Sequence, residues 1–415
     1  MSSSCSRILA LSACLCIAAS LFLAVAPAPA RAADIPQIAD VELEQALALA
    51  GSNRPQLQQA LDRCQQKPYT MAAVRFLIAS LPVVDLGCAT GAELVEHVDL
   101  AMQARGEFAY GASYDDALWA HYVLPPRVSQ EPLSPWRPYF YAQLRDAVKD
   151  CATLEEAAIK VNYWCGERVR FQQTQRRDQG PLATLKSGYG RCEEMVIFYI
   201  DACRSVSIPA RQAYCPYWAV SDNNHAWSEV LAADGRWHYV GACEPSPTLD
   251  TAWYGGAVKQ APIIVSVCFG LPSAAKWSDS YQLVNESGEP ILNIKSDAGA
   301  RYCTLNSTAN YRRTGLLVIE GPEEKTDAAD TPYYVTVHVF NYGAMRLVAR
   351  VPFTDGSVAL ELGAGDYLLS SDAPEGPRTA LFHMETGTES RIAWAEQAEA
   401  PAELILTFPP DPPVA

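Results

Sequence analysis

The stretch GYGRCEEMVIFYIDACRS, residues 188–205, sets one cysteine, Cys192, between a glycine-containing turn and an apolar helix. Helical spacing of the apolar residues predicts a helix from Cys192 to Arg204 that ends before Ile208-Pro209. Unpaired backbone N–H groups at the start of a helix favour a thiolate, so the pattern predicts a low-pKa thiol at Cys192. Gly188 and Gly190 permit a tight turn that presents the thiol instead of burying it. After about Arg211 the period changes to two, and HAWSEVLAADGRWHYVGACEP, residues 225–245, reads as a hairpin with Asp234-Gly235 at its tip. His225 then opens a strand downstream of the thiol, where a nucleophilic cysteine needs its base.

A base needs an orienting group. If Asp234 and Gly235 form a two-residue loop, opposed residues have numbers summing to 469, and Glu244 lies across from His225. A longer or shifted loop brings Cys243 or Ala242 opposite instead. Asp222, or no carboxylate at all, remains an alternative for the third role. Trp227 and Trp237 are expected to pack around the hairpin, Trp164 on a helix face, and Cys203 and Cys215 in the core. His97, His121, His238, His338 and His383 lack suitably spaced partners and are expected to be structural or exposed.

The segments GRCEE (190–194), SIPARQAY (207–214), NNHAWSEV (223–230) and GRWHYVGACEP (235–245) together resemble the core of the transglutaminase-like superfamily. These are papain-like thiol enzymes that include peptide N-glycanases and bacterial cysteine proteases. YVLPPRVSQEPLSPWRPYF (122–140) and the strands from Val337 to Ser371 are similar to secreted bacterial members, in which a helical segment and a transthyretin-like or immunoglobulin-like sandwich flank the core. The resemblance implies Cys192 as nucleophile and His225 as general base. It also marks a departure, because the superfamily usually has an Asp four residues after the hairpin tryptophan, where this chain has Gly241. Glu244 is the nearest carboxylate. The missing Asp keeps open a catalytically degenerate core that binds extracellular peptide or glycan.

Around this centre the chain divides into a signal peptide (1–32), a helical N-terminal domain (33–150), a transglutaminase-like core (151–272), a connecting segment (273–313), a β-sandwich (314–408) and a Pro-rich tail (409–415). The expected class is α+β. Arg7, the apolar run Ile8 to Val25 and Ala30-Arg31-Ala32 have the form of a cleaved secretory signal. LSAC (11–14) also has the form of a lipoprotein box, but it cuts through that run. A secreted or periplasmic protein follows, with no membrane span in the mature chain. The formal charge of −15 becomes −17 once Arg7 and Arg31 leave, which is unsuited to nucleic acid. Neither HExxH nor paired CxxC occurs, so no metal or cofactor is expected. The expected partner is a peptide, protein or glycopeptide substrate, attacked at an amide carbonyl through an acyl-enzyme. Hydrolysis is favoured over amine transfer, because water is always available. The sandwich, which has no cluster of titratable groups, is expected to be dispensable for chemistry on a small amide.

Overall fold

A computed structural model describes residues 35–174, 178–270, 302–320, 334–352, 357–371 and 378–393. The expected signal peptide and Pro-rich tail lie outside the described residues. The N-terminal half is helical: α1 (Asp40–Leu49), α2 (Arg54–Arg63), α3 (Pro68–Ser80), α4 (Val83–Leu86), α5 (Gly91–Glu107), α6 (Asp116–Tyr122), α7 (Arg137–Val148) and α8 (Leu154–Gly166). Among the described residues three helix starts have side-chain caps, with Thr90, Asp115 and Thr153 accepting from the amides of Glu93, Leu118 and Glu156. Gly51 turns the chain between α1 and α2 at φ 54°. Asn53, at the start of α2, does not cap it but donates to the carbonyls of Leu86 and Ala89 at 2.8 and 2.9 Å.

Next come β1 (Arg170–Phe171), α9 (Pro181–Ser187), β2 (Tyr189–Gly190) and α10 (Cys192–Ser205), the helix predicted from the cysteine segment. The sheet that follows is built from β3 (Ala210–Cys215), β4 (His225–Leu231), β5 (Trp237–Val240), β6 (Val265–Phe269) and β7 (Tyr302–Asn306), with a short helix α11 (Gly255–Val258) before β6. It is antiparallel throughout, in the order β5-β4-β3-β6-β7. Every residue of α10 from Glu194 onward is buried, between α7 and α8 on one side and β3 and β4 on the other.

One hydrophobic core runs from Ile35 to Phe269, so the N-terminal helices and the sheet share their interior. Buried arginines fasten the two. Arg137 donates to the carbonyls of Arg204 and Val123 at 2.6 and 2.7 Å, and Arg204 donates to those of Tyr122, Arg127 and Ala210. Arg127 is ion-paired with buried Asp85.

The expected all-β module is present as β8 (Gly315–Glu320), β9 (Tyr334–Asn341), β10 (Ala344–Pro352), β11 (Ser357–Leu362), β12 (Gly365–Ser371), β13 (Arg378–Met384) and β14 (Glu389–Ala393). Its two sheets have the orders β10-β9-β12-β13 and β11-β8-β14. Alternation works as the sequence pattern requires: along β11 every second residue is buried. The sandwich core continues into Ile263 and Val265 of the preceding unit.

Two sequence expectations need correction. The hairpin loop has three residues, Ala233 to Gly235, because Ala232 and Arg236 pair through a 2.9 Å bond and Gly235 takes φ 76°. This is the geometry in which a turn is followed by a left-handed glycine, and it shifts the register to Ser228↔Val240. The segment 273–313 also does more than connect. It supplies β7 to the core sheet, and it places Tyr311 where the hydroxyl donates to Glu229 at 2.7 Å and accepts from the Trp227 indole at 2.8 Å.

Glu229 is fully buried and paired with its cross-strand neighbour Arg211 at 2.5 Å. Removing one partner of such a pair strands a buried charge. Arg211→Met is expected to cost about 3–5 kcal/mol in urea unfolding, and adding Glu229→Leu to recover most of that loss.

Candidate active site

Cys192 begins α10 because the chain before it turns sharply. Gly188 ends α9 in the left-handed region at φ 76°. A Cβ on Gly190 would stand 2.9 Å from the Cβ of Glu194, so only glycine fits there. Glu194 closes the helix start by accepting from the amide of Arg191 at 2.8 Å, and Arg191 is ion-paired with Asp178 at 2.5 Å. The sulfur is thereby placed against the first residues of β4, where the Ala226 amide faces it, next in sequence to His225.

The low-pKa thiol expected from the helix start is not what results. Burial pushes Cys192 up to about 12, and the Glu193 carboxylate beside it adds to the rise. The backbone amides of Ala226 and Glu193 pull the other way without prevailing. The thiol donates to Glu193 Oε2 at 3.1 Å. Desolvation outweighs the helix start here, since a buried thiolate would have to shed its hydration.

His225 sits in a cage of rings, with centroids 4.6 Å from Tyr254, 4.8 Å from Trp253 and 6.1 Å from Trp227. Burial lowers its pKa to about 4, so at neutral pH the imidazole is uncharged and able to accept a proton. Among the described residues it makes no hydrogen bond. Cys192 and His225 therefore flank the same strand start, but the structure closes no bond between them.

Glu244 is an exposed residue, yet desolvation of its carboxylate raises its pKa. It does not reach its place through the ladder, as the 469 sum supposed. In the observed register Cys243 would fall opposite His225, and β5 ends at Val240. Instead the chain turns at Gly241, whose carbonyl accepts from the Glu244 amide at 3.0 Å, with Cys243 at φ 58°. This folds the Glu244 side chain back over Gly241. A Cβ on Gly241 would lie 3.2 Å from Glu244 Oε2 and 3.3 Å from its Cβ. The glutamate carboxylate thus fills space next to the position where the superfamily usually has its Asp. Its hydrogen bond goes to the Trp253 indole at 2.9 Å, and Trp253 in turn packs on His225.

Asp222, the other candidate for the third role, is engaged elsewhere, accepting from the backbone amide of Tyr342 at 2.6 Å. Trp227 and Trp237 pack as expected: Trp227 is fully buried, and Trp237 lies under Arg211 at 4.1 Å and against Tyr122. Trp164 stacks on Phe198. Cys203 and Cys215 are buried and free, as is Cys243. His238 does have carboxylate partners, contrary to the sequence reading. Asp250 lies 2.6 Å from its Nδ1 and Asp234 3.2 Å from its Nε2, and these raise its pKa and tie the hairpin tip to the following loop. Sequence reasoning missed Glu193 and Trp253 as neighbours of the centre. Glu193 stood beside the cysteine in the motif, whereas nothing in TAWYGG separates a site tryptophan from a packed one.

Among the described residues, no group of three or more His, Cys, Asp or Glu could hold a metal ion. No helix among them is long and apolar enough to cross a membrane.

A thiol at the head of a buried helix, backed by an antiparallel sheet whose strand opens on a histidine, defines a papain-like α+β unit. Residues 142–242 match the family model of the transglutaminase-like superfamily, so the chain carries a transglutaminase-like domain over those residues. Comparison with curated proteins gives no match. Among solved structures, a candidate cysteine protease from Cytophaga hutchinsonii is 14% identical over 43% of this chain and 61% of its own, with a TM-score of 0.24. Red sea bream transglutaminase is 11% identical over 60% of this chain and 57% of its own, with a TM-score of 0.23. The chain therefore spans less than two thirds of the length of either. A candidate cell adhesion protein from Bacteroides ovatus is 9% identical over 45% of this chain and 82% of its own, with a TM-score of 0.16.

Glu244 and a side chain at position 241 compete for one space. Gly241→Asp alone is expected to displace Glu244 and to break its bond to Trp253, readable as a change in indole fluorescence. Gly241→Asp combined with Glu244→Ala relieves the crowding, and the double variant is expected to melt closer to wild type than Gly241→Asp does.

Proposed function

We propose that this chain is a secreted thiol enzyme that attacks amide carbonyls of peptide or protein substrates through Cys192, His225 and Glu244. The observation that carries the reading is the sulfur of Cys192, held at the start of α10 with the amides of Glu193 and Ala226 directed at it and the neutral imidazole of His225 on the residue just before Ala226, at the start of β4. Apo thiol sites are often loosely aligned and tighten when substrate binds. On this reading the His225 nitrogen and the sulfur come together only when substrate binds.

With a thiol near 12 and an imidazole near 4, the resting pair is neutral, so His225 acts as a general base rather than as half of a standing ion pair. It takes the proton from Cys192 as the sulfur adds to the carbonyl carbon. Backbone N–H groups at the helix start stabilise the oxyanion. The imidazolium then gives its proton to the leaving amine, and an acyl-enzyme remains. Water, deprotonated by His225, attacks the thioester and releases the acid, returning the proton to sulfur. Glu244 acts on the base through Trp253, whose indole it holds against the ring. The favoured outcome is hydrolysis, with amine transfer as the alternative second step. The domain division read from the sequence is retained in this proposal with β7 and Tyr311 assigned to the catalytic unit.

A second reading, an extracellular peptide- or glycan-binding protein with a degenerate centre, draws on Gly241 and on the open Cys192–His225 pair. A peptide mixture incubated with wild-type protein and with Cys192→Ala separates the two by mass spectrometry. New termini, deamidated side chains or cross-links that vanish in Cys192→Ala support the enzyme. Identical spectra for the two proteins support the binding protein. His225→Ala is expected to lower the rate about 10²- to 10⁴-fold, the usual contribution of a positioned base.

The pH dependence follows from the two shifts. The base form of His225 is present above about 4 and the thiol stays protonated to about 12. Acylation by p-nitrophenyl acetate, read as a burst of p-nitrophenolate, is expected to rise as pH passes about 4 and to stay flat from about 6 to 9. In His225→Ala the plateau is expected to vanish, leaving a rate that climbs with pH as thiolate forms. A wild-type rate that climbs in the same way would remove His225 from the mechanism.

A further inference from the structure

The geometry points to Asn341, on the sandwich, as a positioning residue for His225, an inference that rests on the Cys192–His225 reading above and runs against the sequence expectation that the sandwich is dispensable for chemistry on a small substrate. Nine residues, 216–224, join β3 to β4 and deliver the chain to His225. The loop has few bonds of its own: Trp218 N to the Asn223 carbonyl at 2.9 Å, Asn223 N to that of Ser221 at 2.8 Å and Asn224 N to the Asn223 Oδ1 at 2.8 Å are those among the described residues. What fixes it comes from β9. Asn341, 1% exposed, donates its side-chain amide to the carbonyl of Trp218 at 2.7 Å and to that of Ser221 at 2.8 Å. The next residue, Tyr342, gives its backbone amide to Asp222 at 2.6 Å.

Three further features make this a clamp. Asn341 pairs with Ala344, and the two residues between them, Tyr342 and Gly343, both have positive φ, 51° and 70°. This is the tight two-residue hairpin turn that matches strand twist, so the donor stands on a stiff tip. The Asn341 Oδ1 is buried without a partner, so the residue is kept for its donors although its acceptor goes unmet. With two carbonyls facing it, the amide can be oriented only one way. Finally, Trp218 stacks on Trp227 at 6.2 Å with planes 8° apart, and Trp227 stacks on His225. The held loop and the ring that backs the imidazole are therefore one packed unit. Because His225 has no hydrogen bond of its own among the described residues, its place depends on that unit and on the strand start.

The test uses the full chain in three variants. Asn341→Asp keeps the shape but turns an oxygen toward both carbonyls, Asn341→Ala removes the group, and Val337→Ala weakens the buried sandwich core on the same strand without touching the loop. Two readouts are taken: hydrogen–deuterium exchange of residues 216–226 and the p-nitrophenolate burst. Both Asn341 variants are expected to exchange faster in 216–226 and to acylate about 10- to 100-fold more slowly, the range a displaced catalytic group produces. Val337→Ala is expected to lower the Tm with both readouts unchanged. Unchanged exchange in the Asn341 variants overturns the clamp. Faster exchange with wild-type acylation overturns its positioning role, as does an equal slowing in Val337→Ala. If His225→Ala itself acylates like wild type, the Cys192–His225 reading fails and the positioning role falls with it. The exchange data then report a structural clamp only.

Discussion

The arrangement depends on one buried ion pair, Arg211 with Glu229. The two residues face each other across β3 and β4, and the arginine also lies over the ring of Trp237 on β5 and near that of Tyr122 on α6. Glu229 accepts in addition from Ser266 on β6 and from Tyr311 beyond β7. One carboxylate therefore gathers four stretches of chain, and its desolvation is offset only if all of them are in register. A slip by one residue would turn Glu229 to the other face of the strand and leave it unpaired. His225 is four residues upstream on the same strand and shares its face, so the pair that fixes the register of β4 also fixes where the imidazole stands.

That dependence explains which parts of the molecule were readable in advance. The helix after Cys192, the strand pattern of the sandwich and the α+β class follow from hydrophobic period alone, and they stand where the sequence put them. The helical course of the N-terminal region was also readable, although within it α5 spreads its apolar residues among His97, Asp99 and Arg105. The hairpin register was missed by one because Asp-Gly is compatible with both two- and three-residue loops, and the choice depends on Gly235 taking a left-handed φ. β7 and Tyr311 were hidden because an edge strand recruited after a long insertion carries no local signal of its partner.

The site divides along the same line. Local sequence placed Cys192 and His225 on the right elements, but not the protonation state of the thiol. The helix start and the burial act on the same sulfur with opposite sign, and only the structure reveals that burial and Glu193 prevail. For Glu244 the residue was picked by an argument that does not hold. The ladder ends before reaching it, and the turn at Gly241 brings it back toward the site instead.

The turn at Gly241 sets the direction from which the carboxylate approaches His225. An Asp at 241 would extend directly from the end of β5, whereas Glu244 arrives from the far side of the turn with its carboxylate engaged by Trp253. The indole therefore stands between the Glu244 carboxylate and the His225 ring, anchored at its nitrogen, with the residue 68% exposed. On its inner side it shields His225 from water, and loss of water is what keeps the imidazole neutral and the thiol protonated. A substrate that covers the outer face would strengthen both effects and every charge interaction within, since the local dielectric falls as water leaves. On the proposed reading, the same constraint would leave the resting thiol sheltered rather than activated, with the proton on sulfur until a carbonyl is close enough for His225 to take it as the sulfur adds.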